Sequence, residues 1–477
     1  MKKLMSGLVI VVIVMLSGYY FMGWGTERVL KDNLAIMNRT HANTVELKEY
    51  HRGWFTSHAL IKWVVKVPEP TTLRIPHSLL IPDRVYVTEV SLRIVHGPVM
   101  WANHSLKFGL GYIKSQVLIP TIYNRKYNSV FDKSHSVKPI LRITALVSYL
   151  TNTTLQLQIP AFSLATNDSV NQFKWLGMIT NVNLSGDKKH IAGHLEVGGF
   201  SWFEGDMRGL IGAIKSDYDM RRDIENVYFG NAHFQIASGT LIKGGQQLAQ
   251  VADADLTSEN NIQDGLFNSR ITMSVKNLAL NQLRFGKSRA DVAVARLDAK
   301  TLEEMNRKIG QSQSHSEEDK HRALLALVPD VPMLLAKGAQ ITIHNLELAF
   351  PNGLLKANVK VAFPDQPVYN PLQMMQKLTG NGRIRLSKSL VNNWLQGVIQ
   401  AKLQHDVVGP AVDGQNNPVP KSDIDAQVAI KLAEKVSYLT LAGILVSDGD
   451  DFVMALKLVN GRLLVNDHIF SPEMFAI

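Results

Sequence analysis

The chain has 477 residues, of which 45% are hydrophobic and 19% are charged, a balance typical of folded proteins and not of disordered ones. It contains no cysteine, which excludes disulfide bonds and thiolate metal sites and suits an oxidising compartment. The formal net charge of +10 is scattered and forms no basic patch with interleaved aromatic residues, so we predict no nucleic-acid binding.

The first predicted element is an apolar helix, Leu4–Gly23, which contains no charged residue. Two lysines precede it, and Tyr19, Tyr20 and Trp24 cluster at its far end. About twenty helical residues span the roughly 30 Å hydrocarbon core of a bilayer, and lysines before the run with aromatic residues after it are typical of a membrane anchor. A cleaved signal peptide is the alternative. We favour an uncleaved anchor over residues 1–25, with the rest of the chain outside the cytoplasm.

Strand patterns dominate the next region, residues 26–300. After a short amphipathic helix at Thr26–His41, the β-branched and aromatic segment Val45–Val67 predicts two strands joined at Gly53. Four prolines between residues 68 and 82 predict an extended loop. The alternation in Val85–Val95 slips at Thr88-Glu89, which predicts a bulge or a change of strand.

Hairpins then recur at irregular intervals. Leu355–Phe363 alternates apolar and polar residues, and Pro351-Asn352-Gly353 predicts the turn that joins it to Ile341–Phe350. The same pattern surrounds Asn460-Gly461 and Ser185-Gly186-Asp187. The intervals differ, so a solenoid of fixed period is not predicted.

Helical patterns are concentrated in residues 301–477, where a proline- and glycine-containing linker is predicted at His405–Lys421. The predicted helices are Thr301–Ile309, Glu317–Leu327, Pro371–Leu378, Ser387–Gln404 and Ala426–Leu441. The predicted fold class is α+β, mostly antiparallel β, with repeated hairpins forming one or more long curved sheets with interspersed helices after one N-terminal transmembrane helix. The predicted regions are the anchor 1–25, a β-rich region 26–300 and an α+β region 301–477.

The segment Tyr50–Ser57, which reads YHRGWFTS, resembles the signature of the YdgA-type family of bacterial envelope proteins, a domain of unknown function. Further segments agree in order: His96-Gly97-Pro98, Phe108–Gly111, Trp175-Leu176-Gly177, Phe350–Gly353 and Val459–Asn466. The resemblance covers nearly the whole chain, although Thr56 stands where serine is common. It implies a single-pass protein of the bacterial inner membrane whose bulk lies in the periplasm of a Gram-negative cell. It supplies no catalytic residue.

The signature residues are the candidates for a ligand or packing site: Tyr50, Arg52, Gly53, Trp54, Phe55, His96, Gly97 and Pro98. Arg52 and Trp54 are the types of residue that contact a ligand or a lipid head group. The favoured interpretation is that Trp54 and Phe55 pack the first sheet against the core.

Other polar groups give weaker indications of chemistry. His190 and His194 share a spacing of four, but a metal site needs further ligands from elsewhere, and two exposed strand histidines are the favoured interpretation. Asp448-Gly449-Asp450-Asp451 lacks the alternating ligands of a calcium loop and predicts a polar hairpin turn. No nucleophile or phosphate-loop motif is present. We therefore predict no catalytic residue, no cofactor and no metal site.

Three functions remain open at this point. The first is a non-enzymatic envelope protein that binds inner-membrane lipids on an apolar sheet face, and its alternative is that these faces close as an ordinary core. The second is a scaffold that docks an envelope protein through sheet edges or helices. The third and weakest is an enzyme that acts on envelope lipid or glycan.

Overall fold

The computed structural model describes residues 2–38, 43–66, 85–118, 132, 135–167, 170–224, 227–311, 322, 325–366, 371–407, 421–471 and 474; the side chains of residues 2–16 lie outside this description. The chain divides into two compact units. Unit 1 comprises Met1–Leu248 with Ile309–Lys320, and unit 2 comprises Ala249–Lys308 with His321–Ile477.

Unit 1 combines one long helix with an antiparallel sheet. Helix α1 spans Lys2–Met37, so the predicted anchor and the predicted amphipathic helix form one continuous element. The strands are β1 Asn43–Arg52, β2 Thr56–Lys66, β3 Val85–His96, β4 Val99–Ala102, β5 Ser105–Phe108, β6 Gly111–Leu118, β7 Ile140–Val147, β8 Thr153–Ile159, β9 Phe162–Ala165, β10 Asn171–Trp175, β11 Met178–Leu184, β12 His190–Val197, β13 Phe200–Glu204, β14 Met207–Ile211, β15 Ile214–Ile224 and β16 Val227–Lys243.

The unit 1 sheet follows the chain with few crossovers. Neighbouring strands run β1-β2-β3-β6-β7-β8-β11-β12-β15-β16, and the far end of β16 continues through β14, β13 and β10 to β9. Strands β4 and β5 form a separate hairpin. Short turns join β7 to β8, β11 to β12 and β13 to β14, as antiparallel pairing of neighbouring strands allows.

Four successive long strands are interrupted at the same level of the sheet. The interruptions are Pro160-Ala161, Leu176-Gly177, Gly198-Gly199 and Gly212-Ala213. The ladder continues across them, because the amide of Leu176 donates to the Gly199 carbonyl and that of Gly198 donates to the Gly177 carbonyl. Gly199 has φ +109°, and a Cβ there would lie 2.5 Å from the Ile211 carbonyl oxygen. Glycine is required because other residues are strained in this conformation.

The core of unit 1 lies between α1 and the first strands. Leu30 and Leu34 of α1 pack on buried side chains of β1, β2, β3, β6 and β7. These are Val45, Ala59, Ile61, Val90, Leu92, Ile94, Ile113, Val117, Leu141 and Ala145. The cluster extends to Leu155, Leu157 and Ile159 of β8, which are only partly buried.

In its described residues, unit 2 consists of antiparallel strands and five α-helices. Its strands are β17 Gln246–Gln263, which begins just before the unit boundary, β18 Leu266–Leu280, β19 Leu283–Phe285, β20 Ser288–Asp298, β21 Gln340–Phe350, β22 Gly353–Ala362, β23 Thr379–Ser387, β24 Val446–Asp448, β25 Asp451–Val459, β26 Arg462–Val465 and β27 His468–Ile469. Its helices are α2 Ala299–Gln311, which extends past the boundary, α3 Val331–Leu335, preceded by the 3₁₀ turn Val328–Asp330, α4 Pro371–Gln376, α5 Lys388–Val407 and α6 Lys421–Leu441.

The principal ladder of unit 2 runs β17-β18-β20-β21-β22-β23-β25-β26. Its core lies at the C-terminal strands, where helices α5 and α6 pack through Leu395 and Leu439 on Phe452 and Val465. The α+β class with mostly antiparallel sheet is confirmed. The predicted hairpins around Ser185, Pro351 and Asn460 are confirmed as well, and the turn at Asp448–Asp451 joins β24 to β25.

One predicted irregularity is wrong. Strand β3 pairs with β2 without a register shift through Thr88 and Glu89. Val87 is 51% exposed, whereas Val90 on the other face is buried. The apparent slip therefore reflects a valine on the solvent face and not a bulge, because β-branched residues are favoured in strands on either face.

The two units also divide the chain earlier than the predicted boundary at residue 301. The reason is strand pairing. Strand β20 pairs with β18 on one side and with β21 on the other, so residues 266–298 belong to the same unit as the later strands. The predicted proline loop at residues 68–82 and most of the segment 317–327 lie outside the described residues, as do positions 408–420 of the predicted linker.

The predicted membrane crossing falls largely on residues 2–16, whose side chains are not described. Among the described residues, no helix has the length and hydropathy needed to cross a membrane.

Candidate functional site

The sheet of unit 1 has one apolar face, which we call the dry face. Period-two alternation places every second side chain of a strand on the same side, and the registers align these residues across β11, β12, β15 and β16. The dry-face residues of these four strands are Met178, Thr180, Val182, Leu184, Ile191, Gly193, Leu195, Val197, Ile214, Ser216, Tyr218, Met220, Ala232, Phe234 and Ile236.

The dry face is closed at one end and open at the other. Below α1 its residues are buried, and Ile94 is fully inaccessible. Beyond β8 its residues are mostly half-buried, and Phe234 is 38% exposed. Within the described residues of unit 1, α1 is the only full-length helix, and its core cluster stops at β8. The face over β11–β16 is therefore an apolar surface without a covering helix from the described part of its own unit.

Tyr218 shows how this open part is packed. Tyr218 of β15 pairs with Gly193 of β12, and its ring lies over the glycine. A Cβ at position 193 would lie only 2.4 Å from the phenolic oxygen of Tyr218, so a larger residue there would displace the ring. Burial raises the pKa of Tyr218, which therefore stays neutral at physiological pH. The aromatic side chain lies across the strands and adds no charge to the face.

The opposite face of the same strands is polar. His190 Nε2 lies 2.8 Å from Asp219, and His194 Nδ1 lies 2.6 Å from Asp217, in pairs formed across β12 and β15. All four side chains are 41–58% exposed. Both histidines lie in strand β12, as the sequence predicts, and each is paired with an aspartate of β15. Water and cross-strand pairs solvate this face, so the apolar residues of the sheet are gathered on the other.

Unit 2 repeats the pattern by itself. Apolar side chains of β18, β20, β21 and β22 share one face, and helices α5 and α6 cover the face only at the later strands. Ile271, Met273 and Ile341 on this face are 38%, 43% and 38% exposed. Large apolar residues on one face with such exposure are typical of a surface that binds an apolar partner.

The predicted signature residues meet where α1 joins the sheet. Arg52 is paired with Glu27 of α1, which also accepts a hydrogen bond from Lys31 at 2.7 Å. Burial tends to raise the pKa of Glu27, but the hydrogen bonds and charges of Lys31 and Arg52 outweigh it and lower this pKa. The Arg52 guanidinium also lies 5.4 Å from the centre of the Tyr20 ring. Arg52 thus attaches the helix to β1.

A buried histidine completes this junction. His96 Nε2 lies 3.0 Å from Ser57 Oγ, and Nδ1 lies 3.1 Å from the backbone carbonyl of Tyr19. A carbonyl only accepts, so we assign the proton to Nδ1, and the Ser57 hydroxyl donates to Nε2. A serine that donates to histidine is the arrangement of an activated nucleophile. Both residues are 0% exposed, however, and no substrate can reach them. The pair connects α1, β2 and β3.

The glycines of the junction allow close approach of the helix. A Cβ at Gly23 would lie 2.7 Å from the His96 ring, and a Cβ at Gly97, where φ is +136°, would lie 2.0 Å from the Tyr19 ring. The amide of Gly53 donates to the Thr56 carbonyl at 3.0 Å in the turn between β1 and β2. Tyr50 lies in β1 and packs against the helix-covered core.

Trp54 and Phe55 differ from the favoured interpretation. They are 57% and 49% exposed and do not lie in the core of the sheet. Their rings contact α1 instead, with Phe55 5.0 Å from Tyr19 and Trp54 5.5 Å from Tyr20 between ring centres. The physical reason is their position in a tight turn, which points away from the sheet. Pro98 accepts a hydrogen bond from the Tyr149 hydroxyl through its carbonyl.

The sequence did not indicate the Ser57–His96–Tyr19 connection or the ion pair of Glu27 with Arg52. The available signals were Ser57 inside the signature and His96 beside Gly97 and Pro98, but their partners are distant in the chain. Among the described residues, no group of three histidine or carboxylate side chains converges as a metal site would require.

Comparison with known proteins identifies the family. Residues 1–473 match the family described as bacterial protein of unknown function (DUF945), and the chain belongs to this family. No curated protein matches the sequence.

Proposed function

We propose that this member of the DUF945 family is a non-enzymatic, membrane-anchored protein of the bacterial envelope that binds lipid acyl chains on its dry face. The observation that carries the proposal is the open part of that face over β11, β12, β15 and β16. Its apolar side chains are half-buried or exposed, while the reverse face of the same strands carries paired charges and amides.

The energetics favour an apolar ligand. Each methylene removed from water contributes about 0.8 kcal/mol, so an acyl chain of about a dozen methylenes gains roughly 10 kcal/mol before the cost of its immobilisation. No catalytic constellation supports an enzyme in the described residues, since the Ser57–His96 pair is inaccessible.

The proposed location follows from the sequence. Leu4–Gly23 would anchor the chain in the inner membrane as a single crossing, with both units in the periplasm. The ordered motifs from Tyr50–Ser57 to Val459–Asn466 support assignment to the YdgA-type group. The lipids of the inner membrane would then be the partners nearest to the dry face.

Site-specific photo-crosslinking in cells tests lipid binding. The photoreactive residue p-benzoylphenylalanine replaces Leu195 or Phe234 on the dry face, in cells grown with radioactive phosphate. The matched controls replace His194 or Gln235, the preceding or following residue on the polar face. We expect labelled phospholipid to become attached at Leu195 and Phe234 and not at the controls, because neighbouring strand residues point to opposite faces.

Equal labelling of both faces, or labelling of neither, would refute lipid binding on the dry face. Attachment of one dominant protein at Leu195 would instead support the scaffold function. Both outcomes are read on the same gels, by phosphate label and by mass.

A further inference from the structure

The β4–β5 hairpin has an outer side made of large apolar residues. Met100 and Ala102 on its inner side are buried against Tyr112. On its outer side, Val99 pairs with Phe108 and Trp101 pairs with Leu106. These four outer residues are 44%, 60%, 68% and 55% exposed, in the order Val99, Phe108, Trp101 and Leu106. An exposed hairpin face with four large apolar residues marks an interaction surface.

The outer side of the hairpin is continuous with an aromatic part of α1. The Tyr19 hydroxyl donates to the Val99 carbonyl at 3.0 Å, and the Tyr19 ring packs on Phe55. The next aromatic residues of α1, Tyr20, Phe21 and Trp24, are 42%, 69% and 51% exposed. We call this surface the aromatic rim: Tyr20, Phe21, Trp24, Trp54, Phe55, Val99, Trp101, Leu106 and Phe108.

The length of the apolar run indicates what covers the rim. The run begins at Leu4, and the Tyr19 carbonyl contacts His96 of the sheet. The part of the run before this contact, Leu4–Gly18, spans only about 22 Å as a helix, against about 30 Å of hydrocarbon in a bilayer. The remaining 8 Å or so of hydrocarbon requires about one and a half further helical turns. Tyr19–Trp24, which carries the α1 residues of the rim, supplies that length.

We infer that the aromatic rim is immersed in the membrane interface and seats unit 1 directly on the bilayer. Tryptophan and tyrosine favour this layer because one end of the ring is apolar and the other is polar. Exposed Arg28, whose guanidinium lies 5.9 Å from the Trp24 ring centre, is suited to lipid phosphates at the same depth. The inference rests on the proposed anchor and goes beyond it, because it assigns a second contact with lipid to the β4–β5 hairpin.

Depth-dependent quenching tests the inference on the full-length chain. The protein has no cysteine, so single cysteines can each carry one environment-sensitive nitrobenzoxadiazole label. The variants are Trp101→Cys and Leu106→Cys in the rim and Val12→Cys in the anchor. The matched control is Val446→Cys in the β24–β25 hairpin, which is 47% exposed against 55% for Leu106 and lies on the side of Arg385, away from the apolar face. Proteoliposomes contain phosphatidylethanolamine and phosphatidylglycerol with or without brominated acyl chains.

We expect bromination to reduce the fluorescence of the labels at positions 12, 101 and 106 by about half or more, and to leave the label at position 446 unchanged, because bromine in the hydrocarbon quenches only at short range. Quenching at position 12 with none at 101 and 106 would overturn the seating of the rim and leave the anchor intact. Loss of quenching at position 12 as well would refute the anchor itself. Phe108→Cys replaces either rim variant if its thermal unfolding differs from that of the parent chain.

Discussion

At the scale of single residues, His96 links helix and sheet and makes this link sensitive to pH. Burial, together with the charge of Arg52, lowers the pKa of His96, although the hydrogen bond to the Tyr19 carbonyl partly opposes this. An unfolded histidine titrates near pH 6.5. Above that pH both states are neutral, and the free energy of unfolding does not depend on this group. Below it, the unfolded chain takes up a proton that the folded chain does not accept.

We therefore expect the stability of unit 1 to fall as the pH drops below about 6.5, until the lower folded pKa of His96 is passed. His96→Gln removes this dependence and costs about 1–3 kcal/mol at pH 8, because Ser57 and the Tyr19 carbonyl lose a buried partner. The measurement is chemical unfolding of the full chain over a pH series. The control is His58→Gln, at an exposed histidine of β2, which should retain the slope of the parent. A parent slope that survives in His96→Gln would contradict the assignment.

At the scale of elements, three of the four interruptions across β8–β16 contain glycine. They allow four long strands to break at one level while their ladder of hydrogen bonds continues. Gly199 is the most constrained of them, with a positive φ and a carbonyl oxygen directly in the path of a Cβ. Gly397 in helix α5 differs, since nothing lies within 4 Å of its Cβ position.

We predict that Gly199→Ala lowers the free energy of unfolding by about 1–3 kcal/mol, through backbone strain and displacement of β14. The matched change Gly397→Ala should raise it by about 0.5–1 kcal/mol, because alanine is the better helix former. Urea unfolding monitored by circular dichroism compares the two. A neutral result for Gly199→Ala would mean that the break tolerates a side chain and does not require glycine.

At the scale of the whole unit, one apolar face serves two purposes. Where α1 covers it, the face is an ordinary core. Beyond β8 no described helix of unit 1 covers the dry face, so its apolar side chains are in contact with solvent unless a ligand binds there. This division distinguishes the proposed lipid-binding protein from a closed β-sandwich, in which both parts would be equally dry.

Matched truncations in the two parts of the dry face compare how much each part contributes to the free energy of unfolding. Ile94→Ala, under α1, should cost about 2–4 kcal/mol, because it leaves a cavity in a closed core. Phe234→Ala, on the open part, should change the stability of the lipid-free protein by no more than about 1 kcal/mol, because a partly exposed strand residue loses little on truncation. Chemical unfolding in detergent gives both values. A loss at Phe234 as large as that at Ile94 would show that another layer closes the face.

Much of the fold could be predicted because strand alternation and turn chemistry are local. The hairpins at Ser185, Pro351 and Asn460 need only neighbouring residues to specify them. The histidines at 190 and 194 were placed on an exposed strand for the same reason. By contrast, Val87 gave the impression of a bulge, because local pattern does not show which face of a strand is covered.

Local patterns in the sequence were sufficient to predict a mostly antiparallel sheet, strands with one apolar face and an apolar N-terminal run. The folded structure was needed to show which part of that face α1 covers. It also joined His96 to Ser57 and placed Trp54 and Phe55 beside α1 and not in the core. The physical reason is that coverage depends on the packing of elements far apart in the chain. Side-chain alternation is set by each residue and its nearest neighbours.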